Sequence, residues 1–172
     1  FDCASHKMIK ELAESKFKEL IVSTGCTFDD EIKKTCKILN LKNKKFTLMH
    51  CVSIYPTPLE HVHLNRINFL RKLNKSVGLS EHSNFEKDNL KTSIASLIYN
   101  VDYIERHFTI LPKDQTKDGV VSLNQNELKT LCEFSKKTKT EIEIYIKSEI
   151  PEFEKMKGKE IRSLSKEELL NR

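Results

Sequence analysis

The sequence predicts an α/β fold built on a parallel sheet, and three observations predict it. Four short apolar runs recur at roughly thirty-residue spacing, each is followed by a stretch of helical periodicity, and the connections are short. A βαβα alternation of this kind implies parallel strands joined by right-handed crossovers and covered by helices. In such sheets the C-terminal strand ends and the loops after them build the active site. Here those ends collect serine, histidine, cysteine and tyrosine, so the pattern points to an enzyme.

The elements follow in order. A helical pattern over residues 5–15 precedes the first strand, near 18–23, which runs Lys18-Glu19-Leu20-Ile21-Val22-Ser23-Thr24-Gly25. The next helix, 27–39, opens on Thr27 as N-cap with acids in its first turn and places Ile32, Cys36 and Leu39 on one face. A second strand, 46–53, ends in His50-Cys51-Val52-Ser53. Amphipathic stretches 64–74 and 89–100 then flank the third strand, 76–80, and the fourth strand spans 101–107. Residues 110–121 read as a loop containing Pro112 and Gly119. One long helix is expected from Ser122 or Asn124 to Ser148, ended by Pro151. Residues 1–150 thus form the α/β domain, and 151–172 a charged tail with a capping-box-like Ser165-Lys166-Glu167-Glu168, expected as a loosely docked arm.

At 172 residues the chain supports one core but is short for a closed eight-stranded α/β barrel, which takes about 250. It begins at Phe1, on a loop-like Asp2-Cys3-Ala4-Ser5, and reads as cut from something longer. The net charge of +5 comes from lysines spread among glutamates with few arginines and no basic block, which argues for a solvated surface and against nucleic-acid binding. Five cysteines without C-x-x-C spacing fit reduced thiols in a cytoplasmic protein better than disulfides or a zinc ribbon. No apolar run approaches the ~20 residues of a membrane span, and no segment within these residues reads as a signal peptide.

Side chains alternate across a strand, so Ser80 and His82 share one face and Glu105 and His107 share one. If the third and fourth strands are parallel neighbours, the two histidines can converge on one divalent ion. They can equally serve as hydrogen-bonding groups at loop mouths, and spacing alone leaves both open. Ser23 and Ser80 fit anion binding or helix capping. Tyr55 fits substrate contact or packing in the Pro56-Thr57-Pro58 turn. His61 and His63 form an H-x-H with no third ligand nearby and read as surface groups, while His6, His50 and the cysteines read as structural.

Four ordered segments carry a resemblance: Leu20-Ile21-Val22-Ser23-Thr24-Gly25-Cys26, His50-Cys51-Val52-Ser53-Ile54-Tyr55-Pro56-Thr57-Pro58, Val77-Gly78-Leu79-Ser80-Glu81-His82 and Ile104-Glu105-Arg106-His107-Phe108-Thr109. Together they resemble the sialic acid synthase family, the phosphoenolpyruvate-dependent synthases of nine-carbon sugar acids, up to about Phe134. The resemblance implies the C-terminal half of a TIM (β/α)8 barrel, strands five to eight, with Phe1-Asp2 at the exit of the fourth. It implies that His82 and His107 hold Mn²⁺ or Mg²⁺, that Ser23, Ser53 and Ser80 bind phosphoenolpyruvate, and that Asp2, Tyr55 and Asp118 contact an N-acetylhexosamine. It also implies a homo-oligomer for the full-length protein.

Several positions depart from the family pattern. Glu81 stands for an aspartate, Arg106 for a lysine, Ser53 for an asparagine, and the loop 112–119 lacks the usual glycine-proline-aspartate. The loop departure bears on sugar specificity more than on reaction type. Two function classes follow: a synthase, inactive as this chain alone, or a catalytically dead half-barrel that serves only as an assembly or interaction module; in either case open strand edges are expected to self-associate or aggregate.

Overall fold

The computed structural model describes residues 2–172 and the side chains of 3–172. Phe1, on which the strand-exit assignment rests, and the Asp2 side chain, on which the sugar contact rests, therefore lie outside what is described. Four strands, β1 (Glu19–Ser23), β2 (Lys45–Cys51), β3 (Val77–Glu81) and β4 (Tyr103–Arg106), form one sheet in the order β1-β2-β3-β4. All neighbours are parallel, as the alternation predicts. The register sets Cys51 opposite Ser80 and Ser80 opposite Glu105. A cross-section through the strand ends is thus lined with polar side chains.

One sheet face packs on helices. Val22, Phe46, Leu48, Val77 and Leu79 are buried against Ile32 and Leu39 of α2 (Asp29–Leu41), Ile67 and Leu70 of α3 (Arg66–Leu73) and Ile94 of α5 (Lys91–Ser96). Burying each such side chain contributes about 1.5–3 kcal/mol, which makes this face the source of the domain's cohesion. Helix α1 (His6–Glu14) closes the β1 end through Ile9 and Ala13. A short α4 (Phe85–Asp88) lies between β3 and α5.

Helix boundaries depart from the sequence reading in three places. Thr27 does not cap α2: its hydroxyl donates to the Gly25 carbonyl at 2.9 Å, while the Glu31 carboxylate takes the Phe28 N–H, also at 2.9 Å. The 89–100 stretch is α helix only through Ser96, then tightens into a 3₁₀ turn that ends on Asn100 in the left-handed region, φ 53°. The long helix is two, α6 (Gln125–Phe134) and α7 (Lys139–Glu149). Thr138 accepts the Glu141 N–H and Glu141 accepts the Thr138 N–H, a capping box that restarts the helix.

The tail is not a loose arm. Between α8 (Phe153–Lys157) and α9 (Lys166–Leu170), Arg162 donates two hydrogen bonds of 2.6 and 2.8 Å to a fully buried Glu168. Met156 is also fully buried, and its carbonyl accepts the Leu64 N–H at 2.9 Å. Asn171 donates to the Ser53 carbonyl at 3.1 Å, and Arg172 pairs with Glu31. Charge that composition reads as solvated is internally paired here. No helix among the described residues is long and apolar enough to cross a membrane.

Candidate active site

The sheet face opposite the helices carries the chemistry. Alternation places Ile21 and Ser23 of β1, Met49 and Cys51 of β2, Gly78 and Ser80 of β3, and Tyr103 and Glu105 of β4 on it. Met49 lies across Gly78, where a Cβ would strike its sulfur and meet the Tyr103 carbonyl at 2.7 Å. Close strand packing below therefore leaves the polar layer of Cys51, Ser80 and Glu105 above it.

Just past the ends of β3 and β4, the two predicted histidines meet. Their ring centroids are 5.2 Å apart, and Tyr55 stands 4.1 Å from His82 and 5.8 Å from His107. His82 is buried, and desolvation pushes its pKa down to about 4, so the imidazole is neutral at neutral pH. Its Nδ1 faces the Val52 carbonyl at 3.3 Å and donates to it, which leaves the Nε2 lone pair aimed at the Tyr55 hydroxyl, 2.9 Å away. Burial raises the Tyr55 pKa to about 12, so the phenol keeps its proton and donates. His107 Nδ1 lies 3.6 Å from Asp118 Oδ2.

This donor set fits a divalent ion. A neutral imidazole oriented by a backbone carbonyl is the usual form of a metal ligand, and the lone pair that Tyr55 covers is the one an ion would take. Among the described residues no three His, Cys, Asp or Glu side chains gather around one ion position. An ion here would have two imidazoles and otherwise water or substrate oxygens, an open arrangement that suits catalysis.

The predicted anion-binding serines flank the same place. Ser80 is buried, donates to Glu105 at 2.6 Å and lies 3.4 Å from His82 Nε2. Ser53 Oγ is 3.9 Å from Cys51 Sγ, and Ser23 is exposed at the β1 end with the Gly25 N–H at 3.5 Å from its hydroxyl. A side chain at Gly25 would strike Ser53 Oγ, so glycine permits the β1 and β2 exit loops to touch. A cleft of about 400 Å³ runs along this face past Ile21, Ser23, Gly25 and Ser53 to Tyr55. Burial raises the Cys51 thiol pKa, and the buried Cys3, Cys26 and Cys36 are likewise unpaired thiols.

Glu105 is the group the sequence reading passed over as a candidate. Its carboxylate is exposed on the active face, holds the Ser80 hydroxyl and sits two residues before His107. The signal was its shared alternation with His107. His61 and His63 lie away from this cluster: His61 is exposed, and His63 Nδ1 accepts the Lys159 N–H at 3.1 Å. His50 is buried on the helix side, bonded at 2.7 Å to the Val62 carbonyl. The departing residues Glu81 and Arg106 face each other as a buried ion pair behind the histidines.

Comparison with known proteins places this geometry in a family. A model described as the NeuB family matches residues 1–146, and the chain belongs to that family. It is 30% identical over 135 residues to a pseudaminic acid synthase of Campylobacter jejuni, covering 77% of this chain and 38% of that protein. Identity to the N,N'-diacetyllegionaminic acid synthase of the same organism is 29% over 167 residues, 95% of this chain and 44% of the relative. The chain thus spans less than half the length of these curated relatives. Its fold matches the spore coat polysaccharide biosynthesis protein SpsE of Bacillus subtilis with a TM-score of 0.80 at 24% identity, covering 98% of this chain and 46% of that one.

Proposed function

From NeuB-family membership we propose that this chain carries the metal- and phosphate-binding part of a synthase. The reaction condenses phosphoenolpyruvate with an N-acetylhexosamine of the N-acetylmannosamine type, giving a sialic or related nonulosonic acid plus phosphate. The observation that supports it is the meeting of His82, His107 and Tyr55 at the C-terminal edge of a parallel sheet.

His82 and His107 hold Mn²⁺ or Mg²⁺, which when bound supplies Lewis-acid polarisation of the sugar aldehyde. Carbon 3 of phosphoenolpyruvate bonds to the aldehyde carbon, water adds at carbon 2, and phosphate leaves with carbon–oxygen cleavage. Ser23, Ser53 and Ser80 donate hydrogen bonds to the phosphate or carboxylate of phosphoenolpyruvate. Tyr55, protonated throughout, donates to a sugar oxygen, and Asp118 accepts from a sugar hydroxyl. In this reading the four strands are the fifth to eighth of a (β/α)8 barrel. The full-length protein is a cytoplasmic homo-oligomer that binds neither membrane nor nucleic acid.

The chain alone is inactive in this reading, because half of the barrel's side-chain layers are not on these strands and lost positioning costs many orders of magnitude in rate. A chimera tests it: this chain replaces the matching part of the legionaminic acid relative, and phosphate release from phosphoenolpyruvate plus an N-acetylhexosamine is followed. We expect activity in the chimera, loss in its His82→Ala and His107→Ala forms, and reversible inactivation by chelation. Full turnover after thorough chelation contradicts the assignment. One observation favours an assembly module instead, the exposure of Ile21 and Tyr103 on the open face; a folded chimera without turnover supports that alternative.

A further inference from the structure

We infer that the buried Glu81–Arg106 pair is the positioning element that sets the spacing of His82 and His107. The inference rests on the metal-site reading above and adds to it the residues that hold the ligands in place.

Each member of the pair directly precedes a candidate ligand in the chain, and the two are opposite one another in the β3–β4 register. Their side chains are 1% and 2% exposed, so the pair sits in a low-dielectric region where each charge depends on the other. Glu81 does more than neutralise Arg106. Its carboxylate accepts the Ser83 N–H at 2.6 Å as well as the Ser83 hydroxyl, so residues on both sides of His82 are tied to one group. The Ser93 hydroxyl of α5 donates to Glu81 at 3.3 Å and accepts from Arg106 at 3.2 Å.

Arg106 also reaches the Val121 carbonyl at 3.0 Å. Two residues further on, the Leu123 N–H donates to the His107 carbonyl at 2.8 Å, so the segment that Arg106 anchors also grips the His107 backbone. One network thus fixes the chain before and after His82 and on both sides of His107. The two imidazoles stand on separate strand exits. Their spacing depends on such a brace because no hydrogen bond joins one ring to the other.

The test uses this chain and reads Mn²⁺ binding, not turnover. Mn²⁺ is titrated while paramagnetic broadening of the His82 and His107 imidazole resonances is followed, with His82→Ala and His107→Ala supplying the assignments. Thermal melting is recorded in parallel. Arg106→Gln keeps a hydrogen-bonding end but is too short to fork between Ser93 and Val121, and it should weaken Mn²⁺ binding roughly 10- to 100-fold, the usual cost of losing a group that orients a ligand. Arg106→Met should also lower the melting temperature, because Glu81 is left buried and unpaired.

The double variant Glu81→Met/Arg106→Met separates the roles. Removing both charges should restore much of the melting temperature, while Mn²⁺ binding stays weak. Mn²⁺ affinity that is unchanged in Arg106→Gln, or that returns together with stability in the double variant, overturns the positioning role and leaves the site reading intact. Wild-type protein whose two imidazoles show no broadening overturns the site reading itself, and this inference with it.

Discussion

The two faces of the sheet share a backbone and differ in almost everything else. Toward the helices Leu48 and Val77 are fully buried, whereas on the opposite face Ile21 of the neighbouring strand is 58% exposed and Tyr103 is 42% exposed. The helix side is closed by apolar packing and paired charge. The other side is polar at its upper edge and open along its length. Stability and chemistry are thus assigned to different faces of the same strands, so substitutions on the two should separate into those that unfold the protein and those that disarm it.

The largest effect is expected where paired charge closes the helix side around the strand ends. Glu168→Ala leaves Arg162 buried without its partner and should cost about 3–5 kcal/mol in denaturant unfolding. The loss should depend on pH. Burial, the largest single influence, raises the Glu168 pKa, but the Arg162 hydrogen bonds and charge together with the backbone hydrogen bonds from Ser165 and Ser53 outweigh it, and the net shift is downward. A depressed carboxyl pKa stabilises the fold above the unfolded value, near 4.5, and the contribution disappears as pH falls through the folded one. Wild type and Glu168→Ala should therefore converge in acid.

Next comes the direct comparison of faces. Leu48→Ala should destabilise by about 2–5 kcal/mol, and Ile21→Ser by no more than about 0.5 kcal/mol. Similar losses at both positions would show that the open face is packed in solution, by self-association or by another chain, and analytical ultracentrifugation would distinguish the two.

A graded effect, small at any one step and spread over several pH units, comes from His50. Burial holds its pKa down to about 3, against 6.5 for an unperturbed imidazole, so between these values the unfolded chain binds a proton that the folded one refuses. Stability should fall as pH is lowered through that window, by up to about 1.4 kcal/mol per pH unit. His50→Gln should flatten this part of the profile in equilibrium unfolding.

How much of this was legible depends on whether the signal is local. Strand positions and the shared faces of Ser80 with His82 and Glu105 with His107 follow from a period of two, and the structure has both pairs on the active face. Parallel order follows from the helices between the strands. The break between α6 and α7 was also written locally, in Thr138 and Glu141, but continuous apolar spacing from Leu128 to Ile146 masks it. The Glu81–Arg106 pair was not legible, because nothing about an acid and a base 25 residues apart announces that they meet in the dry interior. The tail fails for the same reason. Its composition is that of a solvated segment, and only the fold shows Glu168 and Met156 fully buried. Apolar periodicity reports burial of apolar groups and is silent on charges buried as pairs.

The central claim is that His82 and His107 hold one divalent ion on the open face. Crystals of this chain grown with Mn²⁺, with data collected at the manganese absorption edge, test it most directly. The account predicts one strong anomalous peak within coordinating distance of His82 Nε2 and of the His107 ring, with the Tyr55 hydroxyl displaced from the lone pair it now covers. A peak at His61 and His63 instead, or no peak between two well-ordered imidazoles still capped by Tyr55, would contradict it.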